Sequence, residues 1–95
     1  MANYRISEDA KKDLWRIYRR GVLEFGEAQA DRYFEAFFER FDELAGQPHM
    51  YPAVDDIREG YRRSVCGVDS IYFRIVDGTV DVMRILGQQD VERSL

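Results

Sequence analysis

Three chemistries are scarce in this 95-residue chain: thiol, imidazole and primary amine. There is one cysteine, Cys66, so no internal disulfide can form and no four-cysteine zinc site exists. There is one histidine, His49, beside Pro48 and far in sequence from Cys66, so nothing local assembles a Cys–His dyad. Only two of the 14 basic residues are lysines. The rest are arginines, the side chain of planar bidentate recognition and desolvated ion pairs rather than the usual solubiliser. No apolar stretch approaches the roughly 20 residues that span a bilayer, and Met1-Ala2-Asn3-Tyr4-Arg5 lacks the apolar run of a signal peptide. Neither a G-x-x-x-x-G-K-[ST] phosphate loop nor a G-x-G-x-x-G turn is present. The acidic pair Asp55-Asp56 points two ways on an extended chain and is a weak metal or acid–base signal. These absences set the expectation of a soluble, reduced, cytoplasmic protein with no metal and no cofactor.

What the chain does contain is globular: 45% hydrophobic, 34% charged and 14% aromatic residues, enough for one domain over 1–95. The net charge of −4 argues against a general nucleic-acid binder. The charge is also unevenly placed. Residues 1–20 hold six basic and three acidic side chains, whereas 21–50 hold seven acidic and two basic.

The period of the apolar residues changes once along the chain. Tyr4-Arg5-Ile6 alternates as a short strand, edge-type or paired, and Ser7 can cap a helix whose first turn holds Glu8 and Asp9. Ala10, Leu14, Ile17, Tyr18 and Leu23 follow at helical spacing, with Trp15 and Val22 widening the stripe, and Phe25-Gly26 ends it. A second helix is predicted from Glu27 to Ala45, with Ala30, Phe34, Phe37, Phe41 and Leu44 on one face and Asp31, Glu35, Glu39, Asp42 and Glu43 opposite. A basic helix and an acidic helix joined at one glycine read as an antiparallel αα-hairpin. Gly46-Gln47-Pro48 stops it, and His49 to Gly60 reads as a loop. From there the period is two: strands at Tyr61–Cys66, Ser70–Val76 and Thr79–Leu86, with a looser turn at Gly67-Val68-Asp69 and a tight one at Asp77-Gly78. Gln88 to Leu95 is a polar tail. The implied fold is α+β in two layers, with the N-terminal strand and αα-hairpin packed on a C-terminal antiparallel β-meander.

A two-residue turn at Asp77-Gly78 pairs Ile75 with Val80, Phe73 with Val82 and Ile71 with Arg84 on the core face. It pairs Arg74 with Asp81 and Tyr72 with Met83 on the outer face. The three-residue turn pairs Val65 with Ile71, which sets Arg62 beside Arg74 outside and Arg63 on the core side at the sheet edge. Two adjacent arginines read either as a site for carboxylates or phosphates or as a pair satisfied by Asp81 and Asp56. Arg84 falls on the core side unless a bulge turns it, and the sequence leaves that open.

Several pieces, in order, resemble one family. They are Tyr4-Arg5-Ile6-Ser7 with Ala10 and Asp13-Leu14; Phe25-Gly26 with Gln29-Ala30 and Tyr33; Leu44-Ala45 with Pro48; Gly60-Tyr61-Arg62; Ile71-Tyr72-Phe73-Arg74; and Val82-Met83-Arg84-Ile85-Leu86. Together, over about Tyr4 to Asp90, they resemble the ParE/RelE toxin superfamily of bacterial type II toxin–antitoxin modules. The resemblance implies a helical hairpin on an antiparallel sheet. It also implies one of two activities. RelE-like members cleave mRNA on the ribosome, using basic sheet-face residues and a tyrosine or histidine near the C-terminus. ParE-like members poison DNA gyrase. Here the tail after the last strand begins with Gly87 where many relatives carry histidine, and no tyrosine, histidine or lysine follows. Arginine stabilises charge but is a poor proton shuttle. The resemblance therefore implies the ParE branch: a non-catalytic gyrase inhibitor neutralised by a ParD-like antitoxin, touching DNA only through that antitoxin and no membrane. The alternatives are a RelE-like ribonuclease and a non-toxic interaction module. Candidate target- or antitoxin-binding residues are Arg62, Tyr72, Arg74, Arg84, Gln88 and Arg93.

Overall fold

The computed structural model describes residues 3–87 and residue 95. The chain runs β1 (Tyr4–Ile6), α1 (Glu8–Phe25), α2 (Glu27–Gly46), a 3₁₀ turn (Pro48–Met50), β2 (Arg62–Cys66), β3 (Asp69–Val76) and β4 (Thr79–Gly87). The four strands form one sheet in the order β1-β4-β3-β2. β2, β3 and β4 are the expected antiparallel meander, and β1 joins it parallel to β4, with Tyr4 beside Val80 and Ile6 beside Val82. The sheet is therefore mixed.

Local signals place the element ends. Ser7 leaves β1 in extended geometry and its Oγ accepts the Ala10 N–H at 3.0 Å, so it caps α1. The same hydroxyl donates to the Met83 carbonyl at 2.8 Å and ties the cap to β4. Gly26, at φ 90°, closes α1 through its N–H to the Val22 carbonyl and opens α2 through its own carbonyl to the Ala30 N–H. A backbone at that φ favours glycine. Asp77 and Gly78 both have positive φ, as a two-residue hairpin turn with the native strand twist requires.

The core lies between the hairpin and the sheet. Ala10, Leu14 and Ile17 of α1 and Phe37, Phe41 and Leu44 of α2 pack on Ile71, Phe73, Val80, Val82 and Ile85. Phe34 lies partly buried at its margin, and Ile75, near the hairpin turn, stays half-exposed. A second cluster sits on the opposite face, where Val54 and Tyr61 are buried against Tyr72 and Leu86. The segment read as a plain loop thus covers part of the outer sheet face. Its ends are held by Val54 N–H to the Tyr61 carbonyl at 2.8 Å and by Asp55, whose Oδ1 accepts the Gly60 N–H at 2.8 Å.

Two registers depart from expectation. The β2–β3 turn has two residues, Gly67 and Val68, because Asp69 already pairs with Cys66. A slip of one residue sends every side chain of a strand to the other face. Arg62 therefore opposes Phe73 on the helix side, and Arg63 opposes Tyr72 outside. Arg62 does not lie beside Arg74. Between β3 and β4 the expected pairs Ile75–Val80, Arg74–Asp81 and Phe73–Val82 hold. A shift at Tyr72/Phe73 then leaves Met83 as an extra residue, so Arg84 pairs with Tyr72 and Ile85 with Ile71. That bulge settles the orientation left open for Arg84.

Candidate interaction surfaces

The sheet arginines are occupied from within. On the outer face Arg5, Asp81 and Arg74 stand in one row across β1, β4 and β3. The Asp81 carboxylate meets Arg5 Nε at 2.8 Å and Arg74 Nε at 3.5 Å. The Arg74–Asp81 pair was legible in sequence; Arg5 was not, because its place depends on β1 lying beside β4. Arg62 donates from Nη1 to the Tyr51 carbonyl at 2.6 Å. Arg84 makes a two-pronged contact with Asp13 of α1, Nε to Oδ2 at 2.8 Å and Nη2 to Oδ1 at 3.0 Å. Tyr72 is 1% exposed and lies in the outer cluster, so its ring is not a surface feature. Gln88 and Arg93 lie outside the described residues.

Asp13, quoted in sequence only for the resemblance, takes a structural role that sequence reading did not assign. It is buried on α1, and its Oδ2 also accepts the Ile85 N–H at 2.9 Å. Arg16, one turn on, donates to the Ile85 carbonyl at 3.1 Å. Past Ile6 there is no β1 to pair with β4, so these two side chains satisfy the orphaned strand groups. The spacing Asp13–Arg16 was the available signal, but an i,i+3 pair on a helix reads first as a surface salt bridge. The β2 edge is treated similarly. Arg40 donates from Nη1 to the Val65 carbonyl at 2.6 Å, and the Arg63 N–H reaches the Pro52 carbonyl at 3.1 Å.

An apolar groove of about 650 Å³ lies at the closed end of the hairpin. Ile17, Gly21, Ala30, Tyr33, Phe34 and Val68 form its floor and sides, with Arg20 and Arg32 at its rim. Two glycines make it possible. At Gly21 a Cβ would sit 3.3 Å from that of Ala30, so the two helices approach closely there. At Gly67, with φ +63°, a Cβ would fall 2.5 Å from the Tyr33 ring. Tyr33 holds this corner by sharing its one O–H between the Cys66 carbonyl at 2.7 Å and Asp69 Oδ2 at 2.9 Å. Burial, and then the Asp69 charge, push its phenol well above the usual tyrosine range. Such a hydroxyl holds its proton and serves the fold. Burial also raises the Cys66 thiol, with Arg40 opposing and Asp69 adding, which disfavours its thiolate. His49 is exposed in the 3₁₀ turn. Among the described residues no group of three or more His, Cys, Asp or Glu side chains could hold a metal ion, and no helix is long and apolar enough to cross a membrane.

A helical hairpin laid on a four-stranded mixed sheet, with an apolar groove at the hairpin tip, is a RelE/ParE-like α+β architecture. The family of the ParE toxin of type II toxin–antitoxin systems, parDE, matches residues 4–92, and the chain belongs to it. The Toxin ParE1 of Mycobacterium tuberculosis (strain ATCC 25618 / H37Rv) is 33% identical over 96 residues, spanning 99% of this chain and 98% of that one. The Toxin ParE1 of Caulobacter vibrioides (strain ATCC 19089 / CIP 103742 / CB 15) is 32% identical over 88 residues, spanning 93% and 91%. Among solved structures, a chromosomal ParDE TA system from P. aeruginosa superposes with a TM-score of 0.80 at 20% identity, covering 92% of this chain and 96% of that one. The toxin–antitoxin complex RelBE2 from Mycobacterium tuberculosis gives 0.56 at 23% identity, covering 92% and 98%. At those identities the two structures bear on the fold.

Proposed function

We propose that this protein is a cytoplasmic toxin that inhibits DNA gyrase by binding it and stabilising a cleaved DNA state, without performing chemistry itself. The observation that carries this reading is the match to the ParE toxin family over residues 4–92. The side chains that a RelE-like ribonuclease would recruit support it from the other direction. Arg62, Arg74 and Arg84 on the sheet each have an internal partner. A protein that acts by surface complementarity relies on arginines and aromatics rather than on proton-transfer groups. Arg74, exposed on the outer face, remains the sheet residue we assign to target contact, with Arg62 beside the 48–51 turn and the tail residues Gln88 and Arg93 as further contacts.

Neutralisation uses a different surface, the groove at the hairpin tip. A ParD-like antitoxin segment folds on the toxin by laying the apolar face of a helix into the groove at the hairpin tip, its carboxylates meeting Arg20 and Arg32 at the rim. The β2 edge and the part of β4 beyond β1 already carry side-chain caps, so this docking relies on side chains more than on a strand added there.

Purified protein is expected to raise double-strand breaks in a gyrase supercoiling reaction with ATP and to leave ribosome-bound mRNA intact. His49→Ala is expected to leave toxicity unchanged. Codon-specific cuts on translating ribosomes, with gyrase unaffected, would replace this reading with the RelE-like one.

A further inference from the structure

The face of the hairpin that turns away from the sheet carries a charge pattern of its own. On α1, Lys12 and Arg19 are exposed seven residues apart, on the side opposite Ala10, Leu14 and Ile17. Between and beyond them lie Trp15 and Leu23, 61% and 86% exposed. On α2, Glu35 and Glu39 are exposed opposite Phe37 and Phe41. None of these four charges makes an ion pair or hydrogen bond among the described residues. Trp15 stacks on Tyr18, whose ring meets Phe34, and Phe34 in turn meets Phe38, so an aromatic step crosses from one helix to the other.

The two helices run antiparallel from Gly26, which makes levels along the hairpin countable. Lys12 lies fourteen residues before Gly26 and Glu39 thirteen after; Arg19 lies seven before and Glu35 nine after. At about 1.5 Å per residue these levels agree within about 1.5 and 3 Å. Trp15, eleven before, falls at the level of Phe38, twelve after. A twofold axis parallel to the hairpin and in front of it keeps every level fixed and exchanges left for right. It therefore sets α1 of one copy against α2 of the next, antiparallel, and does the same for the other pair. Lys12 then meets Glu39, Arg19 meets Glu35, and Trp15 covers Phe38, each contact occurring twice. Such an isologous face is complementary to itself and closes at two copies.

We propose that this face is the interface of a reversible homodimer, a four-helix arrangement held by the reciprocal Lys12–Glu39 and Arg19–Glu35 pairs around Trp15. The occupant is a second copy because both signs of charge lie on one surface at matching levels; an acidic partner would need only the α1 half.

Sedimentation across a dilution series of the full chain tests this. The mass is expected to move from 11.2 kDa to twice that value as concentration rises. The emission of Trp15, the only tryptophan, should shift to the blue in the same range. The double variant Lys12→Glu/Arg19→Glu and the double variant Glu35→Lys/Glu39→Lys should each weaken self-association at least about tenfold, with unchanged far-UV dichroism. An equimolar mixture of the two should dimerise again, since each charge meets its opposite in the mixed pair. A wild-type chain that stays at 11.2 kDa throughout overturns the proposal. So does a dimer that both variants leave intact, or a monomer whose α1 variant instead loses binding to the antitoxin.

Discussion

Arg84 and Arg19 carry the same guanidinium in opposite circumstances. Arg84, on β4, is drawn against a buried carboxylate that also accepts a strand N–H, so its charge is spent on joining α1 to the sheet. Arg19, on the far side of α1, stands in solvent and meets no described partner. The same contrast divides the molecule. Arg62, Arg74 and Arg40, on or under the sheet, are bound to carbonyls and carboxylates, whereas Lys12, Arg19 and Arg20 on the outer hairpin are not. The abundance of arginine therefore has two causes. One is closure of the sheet edges, where a forked donor reaches backbone groups that no neighbouring strand satisfies. The other is a surface left for association.

Substitutions can test where that boundary lies. Phe37, fully buried between helix and sheet, sets the scale: Phe37→Ala is expected to cost about 3–5 kcal/mol, most of a small domain's stability, in urea unfolding. Asp13→Ala should come next, at about 3 kcal/mol, because it removes the buried carboxylate that the Arg84 guanidinium and the Ile85 N–H share. A loss under about 0.5 kcal/mol would make Asp13 a surface residue and dissolve the contrast with Arg19. Gly67→Ala should cost about 1–3 kcal/mol, from the clash with the Tyr33 ring and a φ of +63° that disfavours any Cβ. It should also loosen the groove, which weakened antitoxin affinity would report.

Tyr18 offers a pH test on the hairpin itself. Its hydroxyl donates to Asp31 Oδ1 at 2.6 Å, and that hydrogen bond, followed by burial and the Asp31 charge, pushes its pKa up to about 12. In the unfolded chain it ionises near 10. Between those values the unfolded state has released a proton that the folded state retains. The contribution is therefore whole below pH 10 and is lost as pH rises towards 12. Absorbance titration of Tyr18→Phe against the parent should remove one late-ionising tyrosine. The smallest effect expected is that of Arg19→Ala on monomer stability, within about 0.5 kcal/mol; a larger loss would place Arg19 with the sheet arginines.

Much of the fold was legible because its signals are local. Ser7 caps α1, Gly26 divides the helices and Asp77-Gly78 turns the last hairpin, each through a residue's own backbone preference. The apolar periods assign the core residues Phe37, Phe41, Phe73 and Val82. The candidate site was less legible. Arg62 was placed on the wrong face by a turn read one residue too long, and Tyr72 was taken for a surface residue although the 52–61 segment folds over it.

By itself, then, the sequence determined the order and type of the elements, the helix boundaries and the hairpin turn, since these depend on residues a few positions apart. The register of β2, the bulge at Met83 and the employment of the arginines belong to the tertiary structure. Asp69 is held by Tyr33, 36 residues away, and Ile85 by Asp13, 72 residues away. Contacts over such separations act with the turn and the packing to set which face a strand presents, and no period within the strand records them.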